Sequence, residues 1–190
     1  MKVLAIDPGS VNAGYALCMQ DGRKLRYLAS GVLRFNSKED FLSRIKFIYE
    51  EALRLIEEFQ PDEIALEGLI FVKSPTALIK LAQARGAMLA ALTQTGKPIF
   101  EYAPSAVKAT VSGHGAADKE ALQKFLRLHL GPVEFKTHDE SDAIAIAFCH
   151  LMQRSSPIAQ RALQISGKKK RSGGKGLAAS LAHKTKEISA

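Results

Sequence analysis

Four acidic residues occupy positions where the sequence can bring carboxylates together. Asp7 follows the first predicted strand, and Glu67 ends the fourth, inside the apolar run IALEGLIF. Ligands of open α/β sheets gather at the carboxyl ends of strands, which is where both residues lie. Asp139 and Asp142 are spaced i, i+3 in a predicted helix, so their side chains share one helix face with Cβ atoms about 5–6 Å apart. The four side chains are therefore candidates for one shared site.

A cluster of carboxylates without partners is electrostatically unfavourable. Neighbouring negative charges repel, and each raises the pKa of the others. Divalent cations relieve this repulsion, and Mg²⁺ prefers carboxylate oxygen together with water. Two such ions about 3.5–4 Å apart can activate a water and stabilise the leaving oxygen of a phosphodiester. The pattern predicts a phosphodiester hydrolase in which the four acids hold two Mg²⁺ ions.

Each acidic segment also has a simpler interpretation. The sequence Asp7-Pro8-Gly9 is typical of a turn that ends a strand, and Thr137 to Glu140 fits a T-x-x-E capping box with acids at a helix N-terminus. Glu67 and Asp142 are harder to explain in this way. A carboxylate beside long apolar runs is costly unless it has a partner or a function. Taken together, the segments favour a site.

Other chemistries find little support in the sequence. A phosphate-binding loop is excluded because Gly96-Lys97 is followed by Pro98, and neither H-E-x-x-H nor G-x-S-x-G occurs. His138, beside Asp139, is a candidate for the metal site or a water relay, and the other four histidines are interpreted as structural or surface residues. Two distant cysteines, Cys18 and Cys149, cannot build a disulfide framework or a zinc cluster, and they fit a reducing cytosol.

The elements that must position the acids follow from apolar periodicity and turn signals. Asp21-Gly22 predicts a hairpin, Pro61 ends a helix, and Ser74-Pro75 predicts an N-cap followed by proline at the first helical position. Strands are predicted at 2–6, 13–19, 25–35, 63–67 and 98–102, and helices at 41–59, 75–93, 105–110, 118–130 and 139–153. This order indicates an α/β domain with a mixed sheet covered by helices, in which the first three strands are antiparallel neighbours.

Charge divides the 190-residue chain into two parts. Residues 1–150 hold 18 basic and 18 acidic residues, whereas residues 151–190 hold nine basic residues and one acid, which gives the whole excess of +8. We interpret 1–154 as one nuclease domain and 155–190 as a basic, flexible tail. The tail either contacts a polyanion such as nucleic acid or keeps the chain soluble. No apolar run approaches the roughly 20 residues that span a bilayer, and the start does not resemble a signal peptide.

Five segments together resemble the RuvC-type Holliday junction resolvases, the crossover junction endodeoxyribonucleases. They are IDPGSVNAGYAL, IALEGLIF, LIKLAQARGAML, FEYAPSAVKATVSGHGAADK and HDESDAIAIAFCH, and they lie in order within residues 1–154. The resemblance implies an RNase H-like fold with a five-stranded mixed sheet flanked by helices, and a homodimer. It also implies Mg²⁺-dependent, paired cuts in two like strands of a four-way DNA junction. Asp7, Glu67, Asp139 and Asp142 occupy the family's catalytic positions.

The same resemblance suggests residues that contact DNA. Lys108 and Lys119 match family lysines near the scissile phosphate, although most lysines are surface residues without such a role. Arg85 either packs its helix or touches DNA. The family places an aromatic residue three positions after the catalytic glutamate, where this chain has Ile70 followed by Phe71. Either residue could act at the junction centre as a stacking or wedge side chain, or both could belong to the core.

The sequence thus predicts a structure-selective endonuclease of homologous recombination and DNA repair, acting in the bacterial cytoplasm at the nucleoid. The resemblance makes a complex with a branch-migration motor an expected partner and gives no expectation of a membrane. Two alternatives stay open, namely an RNase H-like nuclease acting on RNA or other branched DNA, and a catalytically silent junction-binding module. An ATPase of the sugar kinase type is excluded because its two domains need more than 190 residues.

Overall fold

Side chains of the first strand point alternately to the two faces of a central sheet, and both faces are buried. The computed structural model describes residues 1–22, 24–69, 74–112, 124, 126–129 and 137–155. Its strands are β1 (Lys2–Asp7), β2 (Asn12–Asp21), β3 (Lys24–Arg34), β4 (Glu63–Glu67) and β5 (Ile99–Tyr102). They form one sheet in the order β3-β2-β1-β4-β5, with β1, β2 and β3 antiparallel and β1, β4 and β5 parallel. The predicted mixed, five-stranded sheet is confirmed.

Four helices begin and end close to the predicted positions. They are α1 (Phe41–Phe59), α2 (Pro75–Thr93), α3 (Pro104–Ser112) and α4 (His138–Ser155). Asp40 caps α1 by accepting hydrogen bonds from the backbone N–H groups of Leu42 and Ser43, and the Ser74 hydroxyl caps α2 by accepting from Ala77. Residues 126–129 are also helical, while the remainder of the predicted helix 118–130 is, apart from residue 124, outside the described residues.

Helices cover both faces of the sheet. One face packs on α4, and its buried side chains include Val3, Ala5, Ala16, Cys18, Ala65, Ile144 and Phe148. The opposite face packs on α1 and α2, and its buried side chains include Leu4, Ile6, Leu17, Ile64, Ile48, Leu55, Met88 and Leu92. Successive residues of β1 thus belong to different cores, as the period of two in a strand requires. The result is a three-layer α/β arrangement.

The parallel pairing of β1 and β4 places two of the candidate acids at one edge of the sheet. Ile6 pairs with Leu66, so Asp7 and Glu67, the next residue on each strand, end neighbouring strands on the same side. Glu67 also pairs with Tyr102 at the end of β5, which a single residue separates from the start of α3. Within the described part of the chain, no helix is long and apolar enough to cross a membrane.

Candidate active site

Asp7 and Glu67 line one small pocket at the carboxyl ends of β1 and β4. Neighbouring strands lie about 4.8 Å apart, so the two carboxylates are held close by the sheet itself. Pro8, Leu81 and Arg85 contribute to the same pocket. The turn after Asp7 is tight: a Cβ atom on Gly9 would lie 1.6 Å from the carbonyl oxygen of Asn12. The turn interpretation of Asp7-Pro8-Gly9 is therefore correct, and the same turn leaves Asp7 at the pocket.

Glu67 lies within electrostatic range of Asp142 and Lys108. Burial raises the pKa of the Glu67 carboxyl above its ordinary value, the negative charge of Asp142 raises it further, and the positive charge of Lys108 lowers it. Lys108 is exposed on α3, whereas Glu67 and Asp142 are half-buried. One predicted aspartate and one predicted lysine therefore lie within electrostatic range of the predicted glutamate.

Asp139 reaches the same region through its backbone. A Cβ atom placed on Gly14 would lie 1.9 Å from the Asp139 carbonyl oxygen, so the first turn of α4 lies directly against β2. Gly14 is the antiparallel partner of Asp7, which brings the start of α4 over the end of β1. Gly14 was not among the predicted site residues. Its signal is a glycine inside a strand, a position that often marks a close backbone approach.

The acids approach one another without forming a closed ligand set. Over the described ranges, no three side chains of the Asp, Glu, His or Cys type are arranged so that they could hold a metal ion. The donor chemistry nevertheless fits a hard divalent cation, because carboxylate oxygens are its preferred ligands and the repulsion between Glu67 and Asp142 is what such a cation relieves. The assignment of all four acids as ligands stays a prediction.

Arg85 is packed into the fold beside the pocket. Its side chain is 12% exposed, and its Nη2 atom forms an ion pair with Oε2 of Glu101 at 2.9 Å. This approach lacks hydrogen-bond geometry, and neither Nη2 nor the buried Nε atom has a hydrogen-bond partner among the described residues. The guanidinium group thus lies between α2, β5 and the pocket. These contacts favour the packing interpretation and leave the DNA contact untested.

The remaining predicted site residues are less informative. His138 is exposed at the first position of α4, and it is not among the described residues that line the pocket. Ile70, Phe71 and Lys119 lie outside the described residues, as does the tail beyond Ser155. Their predicted roles at the junction therefore stay predictions.

The first turn of α4 carries a buried acid, Glu140, which the sequence pattern indicated only as part of a helix cap. The backbone N–H of Glu140 donates to the Thr137 hydroxyl at 3.2 Å, which confirms this half of the capping box. The Glu140 side chain is 4% exposed, and one of its oxygens accepts a hydrogen bond from the Ser30 hydroxyl at 2.6 Å. Because Ser30 is 110 residues away, no local pattern could have identified this contact.

A second buried polar group fastens the far half of α4 to the sheet. His150 is fully buried, with Nε2 2.8 Å from Oε2 of Glu63 and Nδ1 2.7 Å from the Tyr102 hydroxyl. A neutral imidazole that donates from Nε2 and accepts at Nδ1 satisfies both contacts. His150 is thus a structural residue, as the sequence analysis interpreted it.

Comparisons with known proteins place these features in one family. The family model described as crossover junction endodeoxyribonuclease RuvC matches residues 3–150. The RuvC of Trichlorobacter lovleyi is 43% identical over 151 residues, covering 80% of this chain and 85% of the relative. The RuvC of Klebsiella pneumoniae is 40% identical over 166 residues, covering 86% and 95%.

Solved structures give the same result. The structure of T. thermophilus RuvC in complex with Holliday junction substrate matches with a TM-score of 0.74 and 32% identity, covering 80% of this chain and 93% of that one. The family model spans the strand ends and the α4 segment that carry the four candidate acids. The chain belongs to the RuvC family of crossover junction endodeoxyribonucleases.

Proposed function

We propose that this chain cuts four-way DNA junctions by metal-dependent hydrolysis at the edge of the sheet where β1 and β4 end. The observation that carries this proposal is the match to a RuvC solved with a Holliday junction substrate, over most of both chains. Membership of the family makes the chain a Holliday junction resolving endonuclease of DNA recombination and repair. The relatives reported above are bacterial, which supports action in the bacterial cytoplasm.

We assign metal binding to the four predicted acids, with two Mg²⁺ ions per site. Asp7 and Glu67 would supply carboxylates from the sheet, and Asp139 and Asp142 would supply them from α4. When bound, Mg²⁺ lowers the pKa of water and offsets negative charge on a phosphoryl group. Burial, and after it the negative charge of Asp142, raise the pKa of Glu67. A cation bound at this place would offset both effects, which supports the assignment.

Lysines would complete the electrostatics of the site. Lys108 is exposed and close enough to Glu67 to lower its pKa, so its positive charge lies where it would attract a phosphate that approaches the pocket. Lys119 would act in the same way, and this role is supported only by the family resemblance.

Paired cuts require two sites, which a symmetric homodimer would supply. We propose α2 as the dimer face. Its residue Ile79 is a large apolar side chain that is 58% exposed, and a Cβ atom on Gly86 would meet nothing within 4 Å. Light scattering of an Ile79→Glu variant tests this proposal: a monomer is expected, and an unchanged dimer would assign the interface elsewhere. A branch-migration motor is a further expected partner, without an assigned docking surface.

The function is tested by a nicking assay with a mobile four-way junction and a linear duplex of the same sequence, each with Mg²⁺ and with EDTA. Symmetric nicks on the junction alone, and only with Mg²⁺, are expected. Tight junction binding without cuts under any divalent cation would instead identify a silent binding module. Equal cutting of the duplex or of an RNA–DNA hybrid would identify a less selective nuclease of the same fold.

A further inference from the structure

The first turn of α4 is held to the sheet by a chain of two hydrogen bonds. The Ser30 hydroxyl donates to Oε1 of Glu140 at 2.6 Å, and the Tyr27 hydroxyl lies 2.9 Å from the Ser30 oxygen. A serine hydroxyl has one proton, so the Tyr27 hydroxyl must be the donor to Ser30. The order is therefore Tyr27 to Ser30 to Glu140, from β3 to α4.

A backbone contact fixes the same turn one residue earlier. The carbonyl oxygen of Asp139 lies so close to Gly14 that no side chain fits between β2 and α4. Gly14 on β2 pairs with Val32 on β3, and Ala16 pairs with Ser30. The contact at Ser30 is therefore on the strand next to that of Gly14, displaced by two residues along the strand direction. Two consecutive helical residues, Asp139 and Glu140, are thus tied to neighbouring strands.

The position of Glu140 around the helix determines where the two predicted metal ligands point. Residues advance about 100° each around a helix, so Glu140 lies about 100° from Asp139 and about 200° from Asp142. A contact that holds Glu140 against β3 therefore fixes the rotation of α4 about its own axis. It also fixes the directions of the two aspartates relative to Asp7 and Glu67.

Burying a glutamate at a helix contact is energetically unfavourable. Glu140 is 4% exposed and adds a negative charge between two other acids. Burying a charge costs several kcal/mol unless hydrogen bonds compensate it, and an apolar residue often packs at the same place at lower cost. What the charged group adds is direction, because a short hydrogen bond to a carboxylate is strong and geometrically specific.

We propose that the Ser30–Glu140 hydrogen bond positions Asp139 and Asp142 for the reaction, so that Ser30 and Glu140 are positioning residues of the active site. The inference rests on the proposed function of the four acids. Neither residue contacts the DNA in this role, and neither is a metal ligand. Their effect on cleavage passes through the rotation of α4.

Three variants separate positioning from charge. Ser30→Ala removes the hydrogen-bond donor and keeps the charge of Glu140, whereas Glu140→Gln removes the charge and keeps an oxygen that can accept from Ser30. Ser30→Thr keeps the hydroxyl. Positioning predicts that Ser30→Ala lowers the single-turnover cleavage rate about tenfold or more, since small misplacements of reacting groups are costly. Glu140→Gln and Ser30→Thr should stay within a few-fold of the wild type.

The single variant Glu140→Ala, which removes the acceptor, and the double variant Ser30→Ala/Glu140→Ala complete a cycle. If the two residues act through their shared hydrogen bond, the double variant should cut no more slowly than either single variant, and losses that multiply would overturn the inference. A role through charge alone predicts the reverse order, with Glu140→Gln the more damaging change. Ser43→Ala, at an exposed serine of α1, is the matched control and should cut like the wild type. Junction affinity in EDTA should be equal for all variants.

Hydrogen exchange tests the contact without reference to cleavage. Amide exchange in residues 140–143 should be several-fold faster in Ser30→Ala than in the wild type and unchanged in Ser43→Ala. Unchanged exchange in Ser30→Ala would overturn the inference even if its cleavage is slow. A wild-type chain that does not cut the junction would refute the proposed function, and the exchange result would still decide whether Ser30 holds the start of α4.

Discussion

Adding one methyl group at Gly14 should displace the start of α4 from the sheet. The Cβ atom of Gly14→Ala would lie 1.9 Å from the Asp139 carbonyl oxygen and 2.5 Å from its carbon, whereas real Cβ atoms essentially never approach closer than 3.0 Å. Both obstructing atoms belong to the backbone, so no side chain can rotate away. The strand and the helix must therefore move apart by about 1.1 Å, which is the difference between 1.9 Å and 3.0 Å.

This displacement should affect the reaction more than the stability. A misplacement of about 1 Å can cost about 10²-fold in rate, which corresponds to about 2.7 kcal/mol at 1.36 kcal/mol for each tenfold change. Overpacking a core costs about 1–3 kcal/mol, against a total stability of about 5–15 kcal/mol. The variant should therefore remain folded at 25 °C and cut about a hundredfold more slowly.

The assay is single-turnover cleavage of a four-way junction at saturating Mg²⁺, together with junction affinity in EDTA and a thermal melt. Ser43→Ala is the control because Ser43 is exposed on α1, outside the pocket and the proposed dimer face. It should cut and melt like the wild type. A folded Gly14→Ala variant that cuts within threefold of the wild type would refute the reasoning.

Four further outcomes are expected. Asp7→Asn should abolish cleavage but keep or strengthen junction binding in a gel-shift assay, because it removes a negative charge near phosphates; loss of both would indicate a structural aspartate. His150→Leu should lower the free energy of unfolding in urea by about 3 kcal/mol or more, since it breaks the buried contact with Glu63, and a loss below 1 kcal/mol would contradict this. Burial raises the pKa of the Cys18 thiol in the folded protein to about 12. In the unfolded chain this pKa is about 8.5, so between these two pH values the unfolded chain loses a proton that the folded protein keeps. Stability should therefore fall above about pH 9, by up to about 1.4 kcal/mol per pH unit more than in Cys18→Ala; equal pH slopes would exclude this contribution. Deletion of 166–190 removes seven basic residues. It should reduce the slope of log junction affinity against log salt concentration by up to about 6, and an unchanged slope would exclude phosphate contacts by the tail.

The fold could be predicted from the sequence because its signals are local. Helix α1 has the apolar period of one buried face, and it ends where predicted, before Pro61. The serine cap and proline start of α2 are as expected from Ser74-Pro75. The RNase H-like fold, expected from the resemblance alone, is confirmed by the match to RuvC structures and by the sheet order.

The site was predictable only in part, because helix docking depends on distant contacts. Asp7 and Glu67 could be placed together from the sequence, since both end strands that a parallel pairing brings side by side. The T-x-x-E pattern correctly indicated the cap at Thr137 but gave no sign that the Glu140 side chain reaches β3. Such partners are set by the tertiary fold, and no spacing rule connects them.

The two halves of the predicted acid cluster are therefore controlled by different forces. Asp7 and Glu67 are separated by the hydrogen-bonded spacing of β1 and β4, which side-chain substitutions hardly change. Asp139 and Asp142 are placed by the docking of α4, which depends on Gly14, on the Ser30–Glu140 contact and, at the far end, on His150. The distance between the halves is thus a property of helix packing. Since packed elements transmit small shifts rather than absorb them, substitutions at the α4 contacts should change the reaction rate while leaving the sheet, and the binding of DNA to it, largely intact.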